Sequence, residues 1–271
     1  MEGESLVEAE RETLTKGAIR LERPRGRVVP LPLERVPWWA LILLMAGLVV
    51  TYTIATSAVY QETLRFLARG VVRTLQLSVS AYAIALVLGL IAGLARVSKR
   101  PVFYTLGTLY VEVIRGIPLL VQLIYIAFVV APALGIRNDM ARATLGLGIG
   151  YGAYLAEIYR AGIESIPRGQ MEAALSLGMT YGQAMRYVIL PQAIRVILPP
   201  LGNDFIAMLK DSSLASAIAV SELTHSGRLL TARTFRAFET YNMVALLYLM
   251  MTLLGSLGVR ILERYTSGGK Q

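Results

Sequence analysis

No cysteine occurs in the 271 residues, which excludes disulfides, thiolate metal ligands and cysteine nucleophiles. Histidine is nearly absent as well. The single one, His225, has Ser221, Glu222 and Thr224 nearby, a neighbourhood that does not make a triad or a metal cluster. A phosphate-binding loop is missing. The closest string, Gly268-Gly269-Lys270-Gln271, lacks both the hydroxyl that would hold Mg²⁺ and a following helix. Charge is scarce too, at 17% of residues, while 55% are hydrophobic and the mean hydropathy is +0.56. A chain this apolar is not an ordinary soluble domain, and it carries no set of groups for catalysis or for a metal.

What it has instead is a series of Leu/Val/Ile/Ala-rich stretches, at about 37–58, 74–95, 104–131, 143–160, 192–210 and 241–262. Each approaches or exceeds the roughly 18–20 residues a helix needs to cross a bilayer. None alternates polar and apolar residues as a barrel strand does, so each must close its backbone hydrogen bonds within a helix. The expected class is an all-α, polytopic integral membrane protein of about six spans.

Basic residues set the expected orientation. Seven precede Trp38, and Arg96, Lys99, Arg100, Arg160, Arg168, Arg186, Arg195, Arg260, Arg264 and Lys270 fall on the same side of the span pattern. Eight fall on the other: Arg65, Arg69, Arg73, Arg137, Arg142, Arg228, Arg233 and Arg236. This bias places both termini and the 164–191 loop in the cytoplasm. The net charge of +9 therefore reads as topology rather than nucleic-acid binding, since no basic-aromatic stripe accompanies it. Residues 1–35 are charged and carry Pro24, Pro30 and Pro32, the composition of a mostly disordered cytoplasmic tail. Trp38 and Trp39 mark a membrane interface at the start of a first helix, 36–58, which reads as an uncleaved signal anchor. Residues 263–271 form a short tail on the same side.

The loop at 164–191 has helix-turn-helix punctuation. Pro167 suits the opening of a helix, and Glu172 the positive end of its dipole. Gly178 suits a left-handed close. Thr180 and Gln183 have capping-box spacing for a second helix, which Pro191 is expected to end. In that helix Ala184, Met185, Val188 and Ile189 share a face. Glu172-Ala173-Ala174, then Gly178, then Leu190-Pro191, resembles the EAA loop of ABC importer permeases, with Val188 where that family usually has Ile. The resemblance implies that Glu172, Ala173, Ala174 and Gly178 dock a separate ABC ATPase subunit, which alone would bind ATP and Mg.

Further motifs resemble the polar-amino-acid branch of these permeases: Arg115-Gly116-Ile117-Pro118-Leu119-Leu120-Val121-Gln122, Ala153 to Glu157, Gly169-Gln170, Gly202 to Phe205 and Leu209 to Leu214. The likeness covers roughly 70–262, so the tail and first helix are additions to a five-helix core. Polar groups inside a span are costly against lipid and mark a path. On a helix Asp204 and Asp211 share nearly one face, with Lys210 about 100° from Asp211, offering both signs to a zwitterion. The resemblance implies that Asp204, Lys210, Asp211, Ser212 and Ser213 line a substrate site, with Asp204 where the branch often has Glu. Glu157 and Arg160, three apart, have the spacing of a structural ion pair. Gly146, Gly148, Gly150 and Gly152 provide small-xxx-small spacing for close helix packing.

The family reading implies a bacterial inner-membrane permease subunit, paired with an identical or related second permease, an extracytoplasmic substrate-binding protein and a polar amino acid as substrate. The rival is an ion-coupled secondary transporter. That would call for coupling-ion sites and internal repeats, and no repeat is present.

Overall fold

A computed structural model describes residues 38–266. The tail expected at 1–35 and residues 267–271 lie outside the described residues. The chain divides into two units, one up to Tyr52 and one from Thr53 onward. In the first, the described residues belong to α1 (Trp38–Thr56), whose Trp38, Ile42 and Met45 are exposed.

The second unit is a helical bundle, and no strand occurs among the described residues. Its framework is α2 (Ala58–Val97), which begins about four turns ahead of the stretch expected at 74–95. Against it lies α5 (Asp139–Glu164), opened by an Asn138 cap that accepts from the Ala141 N–H. Apolar burial does little to drive helix association in lipid, so close packing must do the work. Glycine provides it. A Cβ on Gly148 would lie 2.8 Å from Ile84, and one on Gly89 would lie 2.7 Å from the Cβ of Leu155 and 3.1 Å from the Ala156 nitrogen. The glycine run therefore serves two faces: Gly148 and Gly152 meet α2, while Gly146 and Gly150 meet Leu123 and Leu119.

The stretch expected as one span at 104–131 is not a single rod. It is α3 (Pro101–Gly116) and α4 (Leu119–Tyr125, carried on to Ala133), bent by 104°. Pro118 forces Ile117 into extended backbone (φ −106°, ψ 134°), which ends α3. The buried Gln122 amide then donates to the carbonyls of Ile114 and Ile117, both at 2.6 Å.

The coupling loop follows as α6 (Arg168–Ser176) and α7 (Tyr181–Ala184). Pro191 does not end that second helix. The chain passes through a π-turn at Met185–Ile189 and runs straight into α8 (Leu190–Asp211). A second π-turn, Ile126–Val130, stands two residues ahead of Pro132 just as this one stands two ahead of Pro191. The wider turn clears the carbonyl that a proline ring would strike, and bends the helix instead of breaking it. Beyond α8 come a 3₁₀ segment (Ser212–Ile218), α9 (Leu223–Thr234) and α10 (Ala237–Thr266).

Over their described residues all six stretches are helical apart from the breaks at Ser57 and at 117–118. Ala58–Val97 and Ala237–Ile261 are long and apolar enough to cross a bilayer unaided, and the bent α3–α4 pair makes a third candidate.

Candidate functional site

The interior polar cluster gathers around Tyr151, a residue of α5 only 5% exposed. Its hydroxyl donates to Asp211 Oδ2 at 2.7 Å, across 60 residues of sequence. Asp204, one heptad earlier on α8, is half-buried and shares nearly the same helix face as Asp211. The Asp211 carboxylate thus points to the face that α5 presents. Tyr82 donates to the Leu201 carbonyl and sets its ring edge-on to Phe205 at 5.2 Å. From Tyr151 the aromatic chain extends to Tyr154 (5.9 Å), over which the Arg115 guanidinium sits at 5.5 Å.

Lys210 and Ser212 stand apart from this cluster. Lys210 is exposed and makes no ion pair among the described residues. Ser212 is fully enclosed, and its hydroxyl donates to the Leu209 carbonyl at 2.7 Å. As the C-cap of α8 it serves the helix end. Ser213 is half-buried in the 3₁₀ segment. A cation in contact with the aromatic chain is Arg115, which sequence reasoning used only as part of a motif. Tyr82 and Tyr151 were also missed, although lone phenols within apolar helices were a usable signal.

The exposed loop is built as its residues dictate. Gly178 takes φ +82°, and the Met179 N–H reaches the Ala174 carbonyl while the Gly178 N–H reaches that of Leu175, a Schellman close. Thr180 and Gln183 cap each other reciprocally. Outward go Glu172, Ala173, Leu175 and Leu177, the last 82% exposed. Ala174 turns inward at 3%, so only one of the two alanines belongs to the outer surface. In the second helix Ala184 and Ile189 are buried while Gln183, Arg186 and Tyr187 are exposed.

An ion-pair network ties this end of the bundle together. Glu157 pairs with both Arg160 and Arg96, Arg160 also reaches Glu164, and Arg96 reaches Glu112 at 3.9 Å. Lys99, just past the end of α2, lies 5.2 Å over the Tyr181 ring of the loop.

At the opposite end of α2, Glu222 is fully buried without being legible as such in the sequence. It caps α9 through the N–H groups of Thr224 and His225, and accepts from the Tyr248 hydroxyl at 2.8 Å. Thr74 of α2 accepts the next N–H, that of Leu223. Burial, and then the Arg228 cation, hold the His225 imidazole below its ordinary pKa.

Residues 85–268 match the family described as binding-protein-dependent transport system inner membrane component. The chain is 43% identical over 196 residues to a probable glutamine ABC transporter permease of Bacillus subtilis, covering 72% of this chain and 90% of that one. It is likewise 43% identical over 200 residues to the glutamine transport system permease of Escherichia coli K12, covering 73% and 91%. A solved structure described as an amino acid ABC transporter with histidines superposes with a TM-score of 0.71 at 41% identity, over 75% of this chain and 95% of that one.

Proposed function

This chain belongs to the family of binding-protein-dependent transport inner membrane components, the permease subunits of ABC importers, and from that premise we propose that it carries polar amino acids into the cytoplasm. It is a transport component, with ATP and Mg handled by a separate ATPase chain. The reading rests above all on one observation: Asp211 is bonded to Tyr151 inside the bundle, with Asp204 half-buried one heptad earlier on α8, while a capped loop stands exposed at one end.

In this reading the substrate ammonium is held by Asp204 and Asp211, with Tyr151 orienting the second carboxylate. Arg115, over Tyr154, supplies the cation for a substrate carboxylate. Lys210 and Ser213 lie further out and act during entry or release. The ATPase grips Glu172, Ala173 and the exposed Leu175 and Leu177. Gly178 shapes that surface rather than touching the partner. Motion of the loop reaches the spans by two routes: α7 is continuous with α8 through the π-turn, and Lys99, Arg96 and Glu157 link the loop end to α2 and α5.

Two permease subunits, identical or related, complete the path, and an extracytoplasmic binding protein delivers the substrate. The core is 70–262, set in a bacterial inner membrane with both termini and the loop at 164–191 inside. Proteoliposomes holding the permease pair and its ATPase test this. Uptake of a labelled polar amino acid must require both ATP and the binding protein; uptake on an ion gradient alone overturns the reading.

A further inference from the structure

We infer that the end of α2 remote from the coupling loop carries a binding site for the phosphate of an anionic phospholipid headgroup. A cavity of about 430 Å³ there is lined by Arg65, Arg69, Arg73, Ser221, Ser226 and Leu229. The three arginines are spaced four apart, so each lies one turn above the next on a single face of α2. All three are exposed, and none has an ion-pair partner among the described residues. The nearby acids are already engaged: Glu62 by Arg236 at 3.8 Å, and Glu222 by Tyr248 and two backbone N–H groups. Like charges at this spacing repel, so the cluster favours an added anion. Guanidinium pairs and hydroxyls suit a phosphate, with its several acceptor oxygens.

The depth of the site favours a lipid as the source. Below Arg73 no charge occurs on α2 until Arg96, a run of about 33 Å at helical rise, close to the hydrocarbon thickness. Arg73 therefore stands at the edge of the acyl region, with Arg69 at headgroup level. Past Gln76 and Ser80, which are exposed and polar, the same face of α2 continues as Val87, Leu90, Ile91 and Leu94, all exposed and apolar. A phosphate held by the arginines would lay its acyl chains along that stripe. An acidic protein surface would meet Arg65 but could not follow the stripe into the bilayer. The inference needs only that α2 spans a membrane, and so stands or falls separately from the transport reading.

The test uses the full chain, purified in detergent and titrated with phosphatidylglycerol or phosphatidylcholine, with bound lipid counted by native mass spectrometry. The intact chain should prefer phosphatidylglycerol, and R65Q/R69Q/R73Q should reduce that preference by about a hundredfold, the scale of three surface arginines. R65K/R69K/R73K, which keeps the charge, should retain most of it and guards against misfolding as the cause. Equal binding of the two lipids, or a preference that survives in the glutamine variant, overturns the inference. Displacement of the lipid by millimolar inorganic phosphate would assign the site to the free ion instead. Loss of binding-protein docking in the glutamine variant with lipid preference unchanged would assign it to a protein surface.

Discussion

The Tyr151 hydroxyl and the Asp211 carboxylate meet at 2.7 Å between helices that are separate in the sequence, and this bond fixes which way the end of α8 faces. Tyr151→Phe removes the donor while keeping the ring. A hydrogen bond to a charged group contributes about 1.5–3 kcal/mol, so the apparent substrate affinity should fall roughly tenfold to a hundredfold. Uptake kinetics in proteoliposomes measure it. An unchanged KM would show that Asp211 does not depend on Tyr151.

Gly178 holds φ +82° with open space around its Cβ position, so substitution there tests backbone conformation and nothing else. Gly178→Val should cost about 1–2 kcal/mol locally and disorder the turn that presents Glu172. Membrane insertion should be normal, while co-purification of the ATPase and coupled uptake are lost. Transport at the normal rate would remove the loop from its assigned role.

Gly89 meets backbone rather than a flexible side-chain tip, with the Ala156 nitrogen and the Gly152 oxygen both 3.1 Å from its added Cβ. Gly89→Val should therefore lower stability by about 1–3 kcal/mol, because neither helix can retreat cheaply. Gly255→Ala is the control. Its Cβ would rest 3.4 Å from Ile206, an ordinary contact, and the melting temperature should hardly change.

Glu157 bridges Arg96 and Arg160, and the Arg96 side chain is only 11% exposed. Glu157→Ala leaves Arg96 with the distant Glu112 alone, at an expected cost of about 1–3 kcal/mol, less than for a fully buried pair. Arg96→Ala combined with Glu157→Ala should cost less than the two single changes summed. Additivity in melting experiments would show that the pair does not interact.

His225 gives a pH dependence. Its imidazole titrates below the ordinary 6.5, so the fold favours the neutral ring. That contribution is complete above the unfolded value and is lost as pH falls through the lowered folded value. His225→Gln should flatten the fall in melting temperature between neutral and acid pH. A parallel fall in both proteins would place the acid sensitivity elsewhere.

Local chemistry explains which features could be read directly. The loop was legible residue by residue, because Pro167, Gly178, Thr180 and Gln183 act on backbone groups within a few positions of themselves. The apolar stretches were legible because a bilayer demands length and composition, both properties of the chain alone. Pro118 carried the break at 117–118, yet its 104° angle depends on where Gln122 and α5 lie. Pro191 misled for the converse reason: whether a proline ends a helix or bends it depends on the room for a π-turn.

The sequence by itself therefore determined the helical membrane class, the capped loop and the closeness of the glycine-lined contacts. Tertiary structure alone decided that Asp211 faces Tyr151, that Ala174 turns inward, that Ser212 closes a helix and that Glu222 is buried. Periodicity assigns a residue to one side of its own helix, but which neighbour occupies that side is settled by packing among distant segments. A side chain's partner, and hence its chemistry, follows from that packing.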